Sequence, residues 1–570
     1  MTGTLWMLVA NLSALLAAIA LSRRFRTGRV AHDAASVLLL RLLVISGITL
    51  VTGLCGRLSP APLGIASLAV LALAAFTNRS SEPGAIASWR ESGRVGRAFV
   101  IVAALLVVRT GAQIWFFAPY NGDAQAYHLP KVAEWIQSGS ISMAHGTDPR
   151  AFFPAGFELV ETWWCAFLHH DVLIETAGVE FWLLGIAATI ALARQLELPR
   201  ASAALAGVIW ALAPAVCLQA TGCLNDGPVA AVLVTAFLLA WSRAPTTLLV
   251  AALGLGCGIK PTFWFALPAV AWIAWRRRHE PRAATATDRL APTVLLMGTA
   301  ALCAIIWPLR NSLHFGHPFP SFREIDRSHS AVQQFGPDLG SMVTNLAEWV
   351  RRLNDDGTPV HVLTTQTSGF GVVALAAGWF GLLAMARRRP DVRPLWWAFL
   401  GSLGLILIMV RLDPWFARFT LFACAPLAIA AAWISERIAA VRTVVVIGLV
   451  FQFLQTMVPY DLPDDGLRRL AETPWRERRI GPSLPVEIAS AGAVALLGEG
   501  LSHPYTLYGP GFVRRVVPIQ AGDANVLAAA ARQAGVTVVH VPIDDSRVRA
   551  GVEAGILRKI SAEFVSIDEP

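Results

Sequence analysis

The chain has 570 residues, 55% of them hydrophobic, with a formal net charge of +9 and a mean hydropathy of +0.55. That apolar share exceeds the range of soluble domains. Repeated apolar runs of about 17–20 residues, the length that crosses a bilayer core, predict a polytopic membrane protein. The basic balance does not indicate nucleic-acid binding, because it is carried by Arg23/Arg24/Arg26/Arg29, Arg90/Arg94/Arg97, Arg276/Arg277/Arg278 and Arg387/Arg388/Arg389. Each cluster opens or closes an apolar run, as the positive-inside rule expects of cytoplasmic loops.

Backbone groups in lipid must be paired within their own segment, so the runs are expected to be helices. Taken in order, about fourteen spans are predicted: 5–21, 36–54, 61–78, 98–117, 172–193, 201–219, 228–242, 246–258, 262–275, 291–309, 368–386, 394–410, 419–434 and 441–458. The first lacks a charged lead-in and a small-residue cleavage site, and reads as a retained span rather than a signal peptide. Two spans, 246–258 and 262–275, are short and flank Lys260-Pro261. Proline cannot continue a helical hydrogen-bond ladder, so a broken hairpin is expected there. The seven cysteines are scattered, mostly within apolar runs and without metal-ligand spacing, and read as small apolar fillers.

With the Arg clusters inside, the polar segments collect on the outer face. They are the loop 118–171, the turn at Asn225-Asp226, the hairpin tip at Lys260, the loop 310–367 and the corner from Arg411 to Arg418. Beyond about residue 459 the composition changes. A Pro/Arg-rich linker precedes short β-rich runs (Val494–Leu497, Val513–Ile519, Val536–Val541) around a helical run near Asn525–Gln533, predicting a small α/β domain outside the membrane. The expected organisation is 1–97 as additional N-terminal helices, 98–458 as the membrane core, and 459–570 as linker and outer domain.

The outer loop carries the densest chemistry. Asp123 follows the turn signal Asn121-Gly122 and precedes a periodic run, where a plain helix cap is the alternative reading. Tyr127, Lys131 and Trp135 recur every fourth residue and share a helix face, a stripe that suits a ligand with sugar and phosphate parts or an interfacial aromatic belt. Glu158 and Glu161 lie three apart on one face, Glu158 as a candidate second carboxylate and Glu161 as a solvated surface acid. Asn225-Asp226-Gly-Pro228 reads as a helix start. Lysine occurs three times only (Lys131, Lys260, Lys559), and a compact ammonium at Lys260 suits a phosphate oxygen. Arg310-Asn311 precedes Phe315-Gly-His-Pro-Phe-Pro320, and Arg418 follows Arg411 and Asp413. Cations at an outer boundary run against the positive-inside bias, and anionic partners would account for them.

Together, Asp123 with Tyr127-His128-Leu129-Pro130, Asn225-Asp226, Gly258-Ile-Lys-Pro-Thr262, and Arg310-Asn311 with Phe315-Gly-His-Pro318 resemble the C-type (GT-C) integral-membrane glycosyltransferases. These include protein O-mannosyltransferases and the aminoarabinose transferases of lipid A. The resemblance spans roughly residues 98 to 541, and the first three helices look like an addition to it. It implies transfer of a sugar from a polyprenyl-phosphate donor to a glycan, lipid or protein acceptor outside the cytoplasm, usually with inversion, by a multi-pass protein of the cell (inner) membrane.

On that reading Asp123 is the general base, and Lys260, Arg418 and Arg310 bind the donor phosphate. Tyr127, His128, Lys131, Glu158, Asn225 and Asp226 position substrate. Asp123 stands alone between Gly122 and Ala124, a poor divalent site unless Asp148, Glu158 or Asp226 joins it, so a metal-independent enzyme is expected. The alternative is a transporter or flippase of a lipid-linked sugar or anionic lipid. It would need polar groups along a path to the other side, whereas the inner halves of the spans are nearly bare of them.

Overall fold

The computed structural model describes residues 2–77, 94–119, 121–141, 149–280, 290–318, 369–410, 416–456, 488, 490–497, 504–519, 522–541, 545–561 and 564–567. Among the sequence candidates, Asp148, Arg411, Asp413 and most of the loop 310–367 lie outside these residues.

Each predicted apolar run has a helical counterpart. In order, the helices are α1 (Thr2–Ser22), α2 (Val30–Leu54), α3 (Pro60–Thr77), α4 (Arg94–Phe116), α5 (Leu129–Ser138), α6 (Gly156–Ala166), α7 (Thr176–Gln195), α8 (Arg200–Ala211) and α9 (Pro214–Gln219). They continue with α10 (Asp226–Trp241), α11 (Thr246–Ile259), α12 (Leu267–Arg276) and α13 (Leu290–Phe315). After these come α14 (Gly371–Arg388), α15 (Arg393–Met409), α16 (Cys424–Arg437) and α17 (Ala439–Thr456). Among the described residues, seven helices are long and apolar enough to cross a membrane, and the protein is an integral membrane protein. The run predicted at 201–219 is divided between α8 and α9, because Pro214 takes the first position of a new helix.

Helix α10 lies at the centre. All its residues but Gly227 are buried, as suits a helix apolar on every side, and it packs against α7, α11 and α12. Its 16 residues separate two chemically different ends, about 24 Å apart at the helical rise. At the Trp241 end the Arg-bearing turns gather. The Arg277 guanidinium lies 4.0 Å from the Trp241 ring, and His32 Nε2 is 3.1 Å from Ser242 Oγ. At the Asp226 end sit the candidate site residues.

The hairpin α11–α12 breaks at Lys260, which is extended (φ −159°) before a 3₁₀ turn from Pro261 to Ala266. Small residues seat it. Gly254 and Gly258, four apart on α11, face the carbonyls of Ala300 and Cys303 on α13, and a Cβ at Gly156 of α6 would come within 2.7 Å of the Gly258 oxygen. Glycine here allows backbone-to-backbone approach, as in other membrane helix pairs. The N-terminal helices are tied in by an ion pair. Arg41 of α2 donates from Nε and Nη2 to both carboxylate oxygens of Glu180 on α7, at 2.9 Å each.

The C-terminal part forms a five-stranded sheet: β1 (Ala493–Leu497), β2 (Arg515–Ile519), β3 (Val538–His540), β4 (Arg558–Lys559) and β5 (Phe564–Ser566). The order is β2-β1-β3-β5-β4, with the first three strands parallel and β5 antiparallel to both its neighbours. Helices Ala524–Gln533 and Ser546–Glu553 connect strands. The segment before β2 docks on α5 and on Asp171. Gln137 Nε2 donates to the carbonyls of Phe512 and Arg514 (2.7 and 2.6 Å), Tyr505 Oη to Asp171 (2.7 Å) and Tyr508 Oη to Glu134 (2.9 Å). The small domain therefore sits on the same end of the bundle as Asp123.

Candidate active site

Four elements far apart in sequence bring charge to one point. The first contains Asp123, at the entrance to α5. A cap here is made by its neighbour: Asn121 Oδ1 accepts from the backbone N–H of Asp123 (3.0 Å) and of Ala124 (3.3 Å). The Asp123 carboxylate is thereby left for side chains. Between it and α5, Ala124–His128 form a π-helical turn in which Leu129 N–H reaches the Ala124 carbonyl. Pro130 has no N–H and crowds the carbonyl four residues back, which the wider turn relieves.

The second element repeats the arrangement. At the start of α10, Gln219 Oε1 accepts from Gly227 N–H (2.8 Å), and the Asp226 carboxylate is turned outward to Lys260 Nζ at 2.5 Å. The third element is the hairpin break that presents Lys260, whose ammonium also lies 4.6 Å from the Phe419 ring. The fourth is the turn Phe416–Phe419, which carries Arg418. Arg418 joins the two acids: Nη1 donates to Asp123 Oδ2 at 2.7 Å, and Nε lies 3.5 Å from Asp226 Oδ2. The other Asp123 oxygen accepts from Arg150 Nη1 at 3.2 Å, and the Arg150 guanidinium stacks 4.3 Å from the Tyr127 ring.

The result is an alternating chain, Arg150–Asp123–Arg418–Asp226–Lys260. Burial pushes the Asp123 carboxyl up, but the guanidiniums of Arg418 and Arg150 outweigh it and hold the group below the usual carboxylate range. As the chain stands, Asp123 is ionised and its oxygens are occupied.

The stripe predicted to face a ligand turns inward. Trp135 is fully buried and stacks on Trp307 at 6.2 Å, while Lys131 is 1% exposed and pairs with Glu158 Oε1. His128 Nδ1 is 2.9 Å from the same oxygen. An ionised carboxylate only accepts, so Nδ1 carries the proton. Burial pushes the His128 imidazole down, whereas Lys131 and His128 override the burial of Glu158 and hold its carboxyl at about 2. These three side chains brace α5 against α6; they do not line an open surface. Helical periodicity identifies a common face but not what that face meets. Glu161, expected at the surface, is 0% exposed, one turn further along the buried face of α6.

Arg310 is also engaged otherwise than the sequence suggests. Its Nη2 donates to the Phe152 carbonyl (2.5 Å), and its Nε and Nη2 to Asn311 Oδ1 (3.2 and 3.0 Å). It thus serves the turn that carries Arg150, and the structure does not place it on the Asp123–Asp226 chain. Asn225 caps nothing with its side chain; its Oδ1 is buried without a partner among the described residues. Arg150 was not singled out from the sequence. Its signal was present, as the one Arg between residues 118 and 171, directly after Asp148-Pro.

No protein-family model and no curated protein matches this chain. Solved structures do. ArnT from Cupriavidus metallidurans in the apo state shares 15% identity at a TM-score of 0.50, covering 84% of this chain and 98% of that one. The same protein bound to undecaprenyl phosphate shares 14% at 0.50, covering 83% and 98%. An Archaeoglobus fulgidus oligosaccharyltransferase is more distant, at 13% identity and a TM-score of 0.39 over 80% of this chain and 70% of that one. The fold is that of ArnT.

Proposed function

We propose that the protein is a glycosyltransferase that moves a sugar from a polyprenyl-phosphate donor to an acceptor on the extracytoplasmic face, where the small C-terminal domain also lies. The observation that carries this reading is the Arg150–Asp123–Arg418–Asp226–Lys260 chain at the end of the bundle opposite the Arg-rich turns. A protein that only moves lipid across the membrane needs polar groups along a path; charge gathered at one end suits chemistry done there. The likeness to ArnT, crystallised with undecaprenyl phosphate, supports a lipid-phosphate donor.

In the transfer, an acceptor hydroxyl attacks the anomeric carbon as the bond to the phosphate oxygen breaks. The acceptor proton goes to Asp123 and the electron pair leaves with the polyprenyl phosphate. A phosphate leaving group needs positive charge rather than a proton, and Lys260 and Arg418 supply it. Those cations lie on Asp226 and Asp123 at rest. A donor phosphate competes for Arg418, and the departure of Arg418 frees Oδ2 of Asp123 and removes the closer of the two guanidiniums that make the carboxylate a weak base. Donor binding thereby switches on the base. Lys131, His128 and Glu158 hold the frame that presents Asp123, and Asn225 and Asp226 form the opposite wall.

Binding of undecaprenyl phosphate to the purified protein tests this. Lys260→Ala and Arg418→Ala should each weaken it by about 10–100-fold, the value of a charge-assisted hydrogen bond. Asp123→Asn should bind as tightly as wild type or tighter, since it removes a competitor for Arg418. Unchanged affinity in both cation variants would reject the phosphate assignment.

A further inference from the structure

Arg418 and Arg150 hold different oxygens of Asp123, and their surroundings differ. Arg418 has a second carboxylate, Asp226, within 3.5 Å. It sits between two acids and a donor phosphate site, so it has alternatives. Arg150 belongs to the short turn Pro149–Phe152, and that turn is gripped from α13. Arg310 Nη2 and Asn311 Nδ2 both donate to the Phe152 carbonyl, at 2.5 and 3.2 Å, and Arg310 Nη2 also reaches the Phe153 carbonyl at 3.4 Å. The Arg310 guanidinium is itself held 5.2 Å from the Trp307 ring and 5.7 Å from the Phe152 ring. The Arg150 guanidinium, fixed at its base, has the Tyr127 ring for a platform.

We propose that Arg150 is the fixed counter-ion that orients the Asp123 carboxylate during transfer, and that Arg310 and Asn311 position it by holding the Phe152 carbonyl. The inference rests on Asp123 acting as the base. When Arg418 turns to the donor phosphate, a carboxylate with no other partner would rotate. Arg150 retains Oδ1 and leaves Oδ2 directed at the acceptor. Arg310 and Asn311 touch no reacting atom and act through the turn alone. The charged groups facing Asp123 are Arg150 and Arg418, and the titratable groups of the π turn, Tyr127 and His128, lie beside it; Asp226 and Lys260 lie beyond Arg418.

The test is the protonation of Asp123, read on the full-length protein in lipid nanodiscs. A carbodiimide modifies protonated carboxyls, and peptide mass spectrometry over a pH series gives a midpoint for Asp123, with Asp391 at the Arg-rich end as internal control. Arg150→Gln should raise the Asp123 midpoint by about one pH unit or more. Arg310→Gln should raise it by less and leave Asp391 unmoved. Undecaprenyl-phosphate affinity should stay within about threefold of wild type in both variants. An unmoved midpoint in Arg150→Gln, or a loss of lipid affinity of about tenfold, overturns the proposal. A midpoint that moves in Arg150→Gln alone overturns the positioning role of Arg310. Should Arg150→Gln fail to fold, Arg310→Gln loosens the same turn without touching Asp123. Failure of the wild type to bind undecaprenyl phosphate would instead strike the donor assignment, and leaves the titration readable.

Discussion

Replacing Lys131 with methionine should destabilise the protein and add a pH dependence that the intact Lys131–Glu158 pair does not contribute between pH 5 and 8. Glu158 is 0% exposed, and Lys131 and His128 lower its carboxyl from 4.5 to about 2. Each tenfold in proton affinity is about 1.4 kcal/mol, so the pairing favours the charged state by about 3 kcal/mol. That is the order of the ~3–5 kcal/mol lost when one member of a buried ion pair is removed. Because the folded value is depressed, the wild-type contribution is complete above pH 4.5 and is lost only as pH falls towards 2. Between pH 5 and 8 it is flat. Without Lys131 the buried carboxyl binds its proton more tightly folded than unfolded, so stability falls as pH rises through that range. Thermal unfolding in detergent at pH 5 and pH 8 reads both effects. The double change Lys131→Met with Glu158→Gln keeps an acceptor for His128, removes the orphaned charge, and should recover most of the loss. A single variant as stable as wild type at both pH values, or a double variant no better than the single, would mean that Lys131 does not hold the buried Glu158 charge.

Three further outcomes follow from the packing. Gly258→Leu places a side chain against the Cys303 carbonyl of α13 and should abolish folded protein, whereas Gly298→Leu, with open space at its Cβ, should be tolerated; gel filtration in detergent distinguishes them. Tyr505→Phe combined with Tyr508→Phe removes both hydroxyl contacts, to Asp171 and Glu134, and limited proteolysis should release the C-terminal domain faster. An unchanged cleavage rate would mean that Gln137 and apolar contact suffice. Asp226→Asn takes the carboxylate partner from Lys260 and the second carboxylate from Arg418, and undecaprenyl phosphate should bind more tightly, as read by titration.

The sequence is informative where a residue's environment is imposed locally. Apolar length predicted a helix for every run, and Pro261 predicted the break that presents Lys260. The sidedness of the Arg clusters correctly grouped Asp123, Asp226, Lys260 and Arg418 at one end. What was not legible depends on which neighbour a face meets. The period of Tyr127, Lys131 and Trp135 is the same for a ligand-facing stripe and a buried one, and only the opposing Glu158 and Trp307 decide it. Glu161 reads as solvated because acids usually are, yet it follows Glu158 onto the same buried face. The helix start at Asn225-Asp226 is where the sequence puts it, but the side chains that take the first N–H groups, Asn121 and Gln219, lie two and six residues before Asp123 and Asn225. Arg310 looked like a phosphate ligand because a boundary cation is expected to meet an anion, but carbonyl oxygens of a returning loop satisfied it first.

The proposed transfer depends on Asp123. Mass spectrometry of lipid-linked sugars and envelope glycans, in cells making the wild type or Asp123→Asn at equal level, puts it to the most direct test. The expected result is one polyprenyl-phosphate-linked sugar accumulating in the variant as one glycan modification disappears. The same modification at wild-type abundance in the variant would remove Asp123 from the chemistry.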